Sequence, residues 1–423
     1  MRRIGPALEV RDFRLWWLAL LLMWLSLQAL EVAIGWEVYA QHGSALDLGW
    51  IGLAEFVPMF VLALPAGQVA DRAPRRLVFA GSLLVGAGVG VGLALVSGSG
   101  NTSVAPYLAL AAGAGTSMAL GTPAARALPP TLVPPEQLQS AMTLRSIATQ
   151  IGQVTGPALG GLLYGVSPSL VYLLTAVACL VAAALVMAMH PAQAADVAVS
   201  EDDRSPRAPS ADLHSVLEGL RFVRHAPILL GAILLDLLAV LFGGAVALLP
   251  IFAKSILHVG AAGLGVLRAA PAVGALLGAA VITRRPIAGR AGRLLFTVVF
   301  VYGGCIVIFG FSRWYPLSLV ALGVSGFVDL YSMNIRSTTV ALASPDRLRG
   351  RVNAVEMVFI SASNQLGYFE SGLAAALVGT IPAVVGGGMM TMLIAISWGR
   401  LFPALAEVDR LESVTPRAVQ APA

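Results

Sequence analysis

Carboxylates lie inside long apolar stretches of this 423-residue chain, where an ionised side chain has little water to solvate it. Such a charge costs about 2.5–3.5 kcal/mol on membrane-insertion scales, so it normally faces protein or a water-filled cavity. Burial also favours the protonated form of a carboxylic acid, which is the property that a reversible proton carrier needs. The candidates for this chemistry are Glu31, Glu55, Asp236, Asp329 and Glu356.

Few cations share this depth with the acids. Glu37 and Glu370 are also acidic, but they lie nearer the ends of their stretches, where water could hydrate them. Three arginines, Arg145, Arg268 and Arg336, are available to neutralise seven acids. We therefore expect some acids to be unpaired and to exchange protons or to bind a polar or cationic group.

One of these arginines shares a helical face with an acid. Asp329 precedes Arg336 by seven residues, which is about two helical turns. Arg336 lies near the predicted cytoplasmic end of its stretch. Two roles are open for it: closing an inner gate or extending to the membrane surface, and contacting a substrate.

The apolar stretches predict an all-α integral membrane protein. Hydrophobic residues make up 57% of the chain and charged residues 12%, whereas a soluble domain has roughly 25% charged residues. About 20 apolar residues in a helix cross a hydrocarbon core of about 30 Å. The sequence predicts twelve such helices at 15–40, 48–70, 77–97, 104–123, 140–165, 168–189, 227–253, 261–282, 294–312, 315–336, 352–376 and 382–403.

A long polar stretch divides these helices into two sets of six. It predicts an N-terminal bundle at 1–189, a flexible cytoplasmic linker at 190–226 and a C-terminal bundle at 227–423. A shift of 210 residues aligns Arg11 with Arg221, Arg14 with Arg224, Arg126 with Arg336, Pro135 with Pro345, Glu136 with Asp346 and Leu138 with Leu348. This repeat predicts two pseudo-symmetric halves with a substrate site between them near the bilayer midplane.

The distribution of charge predicts orientation. Arginines concentrate in one set of loops, while the opposite loops offer only Lys254 and Arg313. Positive loops stay in the cytoplasm, so both termini are expected there. The third, sixth, ninth and twelfth predicted helices have no charge in their cores, and we expect them to face lipid around a central cavity.

The eleventh predicted helix carries the most polar residues. One of its faces holds Asn353, Glu356, Asn364, Gly367 and Ser371. A polar face of this length favours a cavity wall, and contact between helices is the alternative.

A short motif, GQVADRAPRRL, lies between the second and third predicted helices. Its glycine permits close helix approach, its aspartate can cap a helix or pair across a gate, and its arginines can anchor the loop at anionic headgroups. The motif resembles the loop signature of the major facilitator superfamily, apart from Pro74, where glycine is usual. The resemblance implies a cytoplasmic gate, to which we also assign Arg336, and the motif residues are Gly67, Asp71, Arg72, Arg75 and Arg76.

The fifth predicted helix contains a second motif, GQVTGPALGG. Small residues at this spacing allow close helix packing, and the proline can bend the helix. The motif resembles the glycine–proline signature of facilitator antiporters, which implies antiport. Its residues are Gly152, Gly156, Pro157, Gly160 and Gly161. We expect leucine at Gly156 or Gly160 to impair function more than leucine at Gly115 of the fourth predicted helix.

Five segments together resemble the twelve-helix drug-exporter group of this superfamily, which includes the enterobactin exporter. They are DFRLWW, GQVADRAPRRL, TPAARALPPTLVPPEQL, GPALGGLLYG and SPDRLRGRVNAV. The resemblance implies a monomeric exporter of drug-like compounds or siderophores in a bacterial inner membrane, surrounded by lipid and driven by proton antiport with alternating access. A lysophospholipid or other lipid transporter of the same fold is the alternative, although seven acids favour polar or cationic cargo.

Other functional classes find little support. The five histidines lie in predicted loops or in the linker, without the paired spacing of a metal site. Both cysteines, Cys179 and Cys305, lie in apolar stretches, as small buried residues do. The chain lacks a phosphate-binding loop, and its net charge of +5 follows from arginines in loops rather than from a nucleic-acid surface. We therefore expect no enzyme activity, no metal, no cofactor and no nucleic-acid partner.

Overall fold

The computed structural model describes residues 5–100, 102–190, 213–287, 289–345 and 348–409. Within these ranges it leaves undescribed the side chains of residues 63–64, 66–72, 213–217, 349, 354, 357–358 and 361. The described part of the chain is helical and contains no β-strand.

Long helices occupy all twelve predicted segments. They are α1 (Arg11–His42), α2 (Ala45–Arg72), α3 (Arg75–Gly98), α4 (Ala105–Ala127), α5 (Leu138–Val166), α6 (Pro168–Met187), α7 (Pro227–Phe242), α8 (Gly260–Arg284), α9 (Ala291–Phe311), α10 (Tyr315–Ala343), α11 (Arg349–Val378) and α12 (Thr380–Leu401). A connecting helix (Leu213–Arg224) lies within the predicted linker.

The seventh predicted helix is interrupted, contrary to the expectation of one helix over 227–253. α7 ends at Phe242, and a 3-10 turn (Ala245–Leu248) and a π-helix (Phe252–Ile256) follow. Two glycines at 243 and 244 disfavour helix by about 1 kcal/mol each relative to alanine. Hydropathy does not register this effect, because the residues on both sides are apolar.

Hydroxyl groups from two other helices donate to carbonyl groups at this break. Tyr302 of α9 donates to the carbonyl of Gly243 at 3.2 Å, and Ser371 of α11 donates to that of Gly244 at 3.2 Å. The same carbonyls also accept the backbone N–H groups of Ala245 and Ala247, so the hydroxyls supplement these local bonds and tie the break to α9 and α11.

Nine helical segments of the described chain are both long enough and apolar enough to cross a membrane. The segments below that standard are α4, α5 and α11. These three contain more glycine, alanine and polar residues, which serve helix contacts and side-chain chemistry rather than lipid contact.

The chain forms two compact units. The N-terminal unit comprises Met1–His42, Ala54–Ser210 and Gly260–Ala269. In it α1 packs along α5 and α6, and α3 packs along α4 and α6. Its core includes the fully buried side chains of Phe13, Trp16 and Phe79.

The C-terminal unit comprises Gly43–Leu53, Ala211–Val259 and Ala270–Ala423. In it α9 packs along α10 and α12, and α11 packs along α7, α12 and the connecting helix. Glu218 of the connecting helix forms an ion pair with Arg351 of α11 at 2.5 Å, which fastens that helix to the unit.

Candidate functional site

Arg336 joins three helices in the C-terminal unit. Its guanidinium forms an ion pair with Asp236 of α7 and lies 3.5 Å, from Nε to Oε1, from Glu356 of α11. Arg336 is only 5% exposed. It therefore does not extend to the membrane surface, which was one of the roles left open for it.

Asp329 lies beside this cluster without joining it. It stands in the middle of α10, within electrostatic range of Asp236 and Arg336, and its side chain is exposed. Among the described residues no ion pair reaches Asp329. An exposed, unpaired carboxylate in the middle of a membrane helix indicates contact with a water-filled space rather than with lipid.

A second charged group lies in the N-terminal unit. Glu31 of α1 forms an ion pair with Arg268 of α8, and their side chains are 26% and 11% exposed. Glu55 of α2 lies within electrostatic range of both. It makes no ion pair with any residue that the structure describes, so this unit also contains an unpaired acid.

The glycine–proline segment of α5 packs closely against α1. A Cβ at Gly156 would lie 2.6 Å from the Cβ of Gln28, and a Cβ at Gly160 would lie 2.6 Å from the backbone of Ala29. One helical turn before Gly156, a Cβ at Gly152 would overlap Trp24.

The packing of Gly115 does not support the expected contrast with the α5 glycines. A Cβ at Gly115 of α4 would overlap the carbonyl oxygen of Glu55. Gly115 is therefore as closely packed as the α5 glycines, and sequence alone did not reveal its partner helix.

The predicted polar face of α11 divides into two parts. Glu356 joins the Arg336 cluster, while Ser371 packs against the break after α7, and Gly367 packs against the last residues of α7. Asn364 is exposed and donates to the carbonyl of Ile360 in its own helix at 2.9 Å. The part of this face nearer the C-terminus of α11, with Gly367 and Ser371, thus holds helices together. Asn364 remains available to a ligand.

Arg145 lies apart from the acids. It stands on α5 within electrostatic range of Arg126, and no ion pair with it is seen among the described residues. The structure therefore does not bring Arg145 together with the other predicted site residues.

The arginines of the loop motif bind helix ends. Arg75 donates to the carbonyl of Ala127 at the end of α4 at 3.0 Å, and Arg76 donates to the carbonyl of Met189 just after α6. A cation at a helix C-terminus also complements the helix dipole. Gly67, Asp71 and Arg72 lie in α2, but their side chains are outside the described residues, so their gate role remains a prediction.

Glu37 forms a buried polar centre, whereas from the sequence we expected that water could hydrate it. It is 2% exposed, not hydrated. Its carboxylate accepts hydrogen bonds from Tyr107 of α4 at 2.8 Å, Tyr172 of α6 at 2.5 Å and Gln41 at 3.2 Å. The Gln41 spacing was visible in the sequence, but nothing there linked the two tyrosines to α1.

No group of three or more metal-binding side chains occurs within the described ranges. Cys179 and Cys305 are both free and buried.

Apolar helices that hold charged side chains at membrane depth are typical of secondary transporters. The chain belongs to the Major Facilitator Superfamily, whose family profile matches residues 16–369. It is a multi-pass membrane protein that transports small molecules and is not an enzyme.

Two curated relatives are exporters. The chain is 26% identical over 415 residues to the enterobactin exporter EntS of Shigella boydii serotype 18 (strain CDC 3083-94 / BS512), covering 96% of this chain and 94% of that protein. It is 29% identical over 391 residues to the multidrug efflux pump Tap of Mycolicibacterium fortuitum, covering 89% and 92%.

A solved structure shows the same fold. A bacterial homologue of the human lysosomal transporter Spinster, in an inward-facing and unoccupied conformation, matches with a TM-score of 0.73 at 14% identity. The match covers 99% of this chain and 100% of that one.

Proposed function

We propose that this protein exports polar or cationic small organic molecules across a bacterial inner membrane, in exchange for protons and by alternating access. Both termini lie in the cytoplasm in this proposal. The observation that carries it is Asp329, which is exposed and has no ion pair with any described residue, beside the ion-paired cluster of Arg336, Asp236 and Glu356.

Charge balance supports proton or cation binding. Arg336 carries one positive charge against the two acids that it contacts, and Asp329 adds a third acid. In the N-terminal unit Arg268 likewise faces Glu31 and Glu55. Fully ionised, both clusters would carry excess negative charge at membrane depth, which is costly. A proton or a cationic group of the cargo removes that excess.

The relatives support export as the direction of transport. EntS is named as an exporter of enterobactin and Tap as a multidrug efflux pump. The excess of acids over arginines favours cargo of the drug type with a basic group over an anionic siderophore. The resemblance of the α5 glycine–proline motif to facilitator antiporters favours exchange over symport.

The test is transport in proteoliposomes that contain the full-length protein, under an imposed pH gradient. The panel holds tetraphenylphosphonium, ethidium, a catecholate siderophore and a lysophospholipid. We expect the two cations to move against the direction of proton flow, with protons appearing on the opposite side. Selective movement of the siderophore or of the lysophospholipid would contradict the cargo class. Cation transport that ignores the pH gradient would contradict antiport.

A further inference from the structure

Within the N-terminal unit, the glycine–proline segment of α5 contacts α1 and the part of α8 that belongs to this unit (Gly260–Ala269), and α1 is the first contact. Gly152 meets Trp24, and Gly160 meets Ala29, eight residues further along α5. Residue numbers rise together on the two helices, so α1 and α5 run parallel at this contact. Because these glycines have no side chain, α1 can approach the backbone of α5 closely.

The first residues of α8 form the second contact. A Cβ at Gly161 would overlap the carbonyl oxygen of Ala261 and would lie 3.0 Å from the Cα of Gly265. A Cβ at Gly265 would overlap the carbonyl oxygen of Pro157. Residue numbers fall on one helix as they rise on the other, so α8 runs antiparallel to α5 and therefore to α1.

These directions explain the ion pair between Glu31 and Arg268. A helical side chain leans towards the N-terminus of its own helix, so side chains on antiparallel helices lean in opposite directions along the helix axis. Glu31 lies past the Gly160 contact and Arg268 lies past the Pro157 contact in the opposite direction along α5, so these two side chains lean towards each other. Arg268 lies three residues after Gly265, on the same face of α8. Glu31 lies two residues after Ala29 on α1. The two close backbone contacts on α5 thus bring the guanidinium and the carboxylate to one level.

We propose that the glycine–proline segment of α5 is a positioning device that holds Arg268 on Glu31, where the guanidinium acts as a tethered cation in competition with cationic cargo. In this state Glu55, which lies within electrostatic range of Glu31 and Arg268, has no ion pair among the described residues. The competition rests on the proposed function, whereas the positioning role does not.

Thermal unfolding of the purified full-length protein in detergent tests the positioning role without any substrate. The methyl group of Gly265→Ala forces α8 away from α5. We expect it to lower Tm more in the wild type than in the Arg268→Gln variant, in which no ion pair is left to lose. Equal losses of Tm in the two backgrounds would overturn the positioning role.

Gly303→Ala, made in the wild type and in the Arg268→Gln variant, is the matched control for this double-mutant cycle. Gly303 of α9 is closely packed in the C-terminal unit, where its Cβ would lie 2.7 Å from the carbonyl oxygen of Gly388. It has no part in the Arg268 contact, so its loss of Tm should be the same in both backgrounds.

Binding of tetraphenylphosphonium to the same protein tests the competition. We expect Arg268→Gln to raise the affinity several-fold, Arg268→Lys to leave it near that of the wild type, and Glu31→Gln added to Arg268→Gln to abolish the gain. An unchanged or lower affinity of Arg268→Gln would overturn the competition. Failure of every variant to bind the probe would overturn both the competition and the cationic cargo class, while the Tm cycle decides the positioning role independently.

Discussion

The hydroxyl of Tyr172 in α6 lies 2.5 Å from the carboxylate of Glu37 in α1, inside the N-terminal unit. Tyr107 of α4 donates to the same carboxylate, and Gln41 donates both to Glu37 and to Tyr107. Three helices are thus joined through one buried acid. Buried polar side chains that all find hydrogen-bond partners suit a fixed structural centre.

Removal of one tyrosine hydroxyl from this centre should destabilise the protein. Tyr172→Phe leaves a buried carboxylate oxygen without a donor, at a cost of about 1–3 kcal/mol. Thermal unfolding in detergent measures the effect. Tyr164→Phe is the control, because Tyr164 lies near Glu37 but forms no hydrogen bond to it among the described residues. Equal losses of Tm for the two variants would contradict this role of Tyr172.

Neutralisation of Arg336 alone should destabilise the protein more than neutralisation of Arg336 together with Asp236. Arg336→Gln leaves Asp236 and Glu356 buried without their cation, and breaking a buried pair in this way costs about 3–5 kcal/mol. Adding Asp236→Asn to Arg336→Gln removes one uncompensated charge and should recover part of the lost stability. Unfolding measurements on the two variants would contradict the prediction if the double variant were the less stable.

Asp329→Asn should abolish proton movement coupled to cargo, because it removes the carboxylate beside the Arg336 cluster to which no ion pair is seen in the described part of the chain. Substrate-driven acidification in proteoliposomes measures this coupling. Asp47→Asn, near the start of α2, is the matched substitution and should retain it. Normal coupling in the Asp329→Asn variant would assign the proton to another acid, of which Glu55 would be the next to test.

Gly160→Ala should impair both folding and transport, because its methyl group would meet the backbone of Ala29. Overpacking of this kind costs typically about 1–3 kcal/mol. Gly165→Ala on the same helix should be tolerated, since a Cβ there meets no atom within 4 Å. Gly115→Ala should resemble Gly160→Ala rather than Gly165→Ala. The three variants are compared by yield of folded protein and by transport rate.

Asp71→Asn should reduce transport while the protein remains folded in the membrane, because the charge is expected to act on the inward–outward equilibrium. Uptake into inverted vesicles measures the effect. Near-normal uptake would remove Asp71 from the gate.

Hydropathy was sufficient to place the helices but not their irregularities. All twelve apolar segments are helical because runs of about 20 apolar residues cross a bilayer only as helices or closed barrels. The break after Phe242 escaped the same reasoning, since two glycines in an apolar run leave mean hydropathy unchanged. The hydroxyls that contact its carbonyls come from Tyr302 and Ser371, which are distant in sequence.

The residue types of the site could be predicted from the sequence, but the ion-pair partners of those residues could not. Helical spacing linked Arg336 to Asp329 on its own helix, whereas its ion partners are Asp236 and Glu356 on two other helices. Charge cost identified the acids at depth, but pairing depends on helix packing that one sequence does not encode locally. Glu37 was misplaced for the same reason, because its tyrosine donors come from α4 and α6.

The break after α7 receives contacts from segments that are synthesised later. The hydroxyls of Tyr302, Ser371 and Thr391 contact carbonyls of residues 59, 127 and 152 positions earlier in the chain. A ribosome therefore delivers the seventh segment to the membrane well before its partners exist. Until those partners arrive, the same carbonyls have only local backbone donors, which are the amides of Ala245, Ala247 and Gly243. We therefore expect the contacts that fix the break against α9, α11 and α12 to be complete only after α12 has been inserted, and chains truncated before α12 should give a lower yield of folded protein.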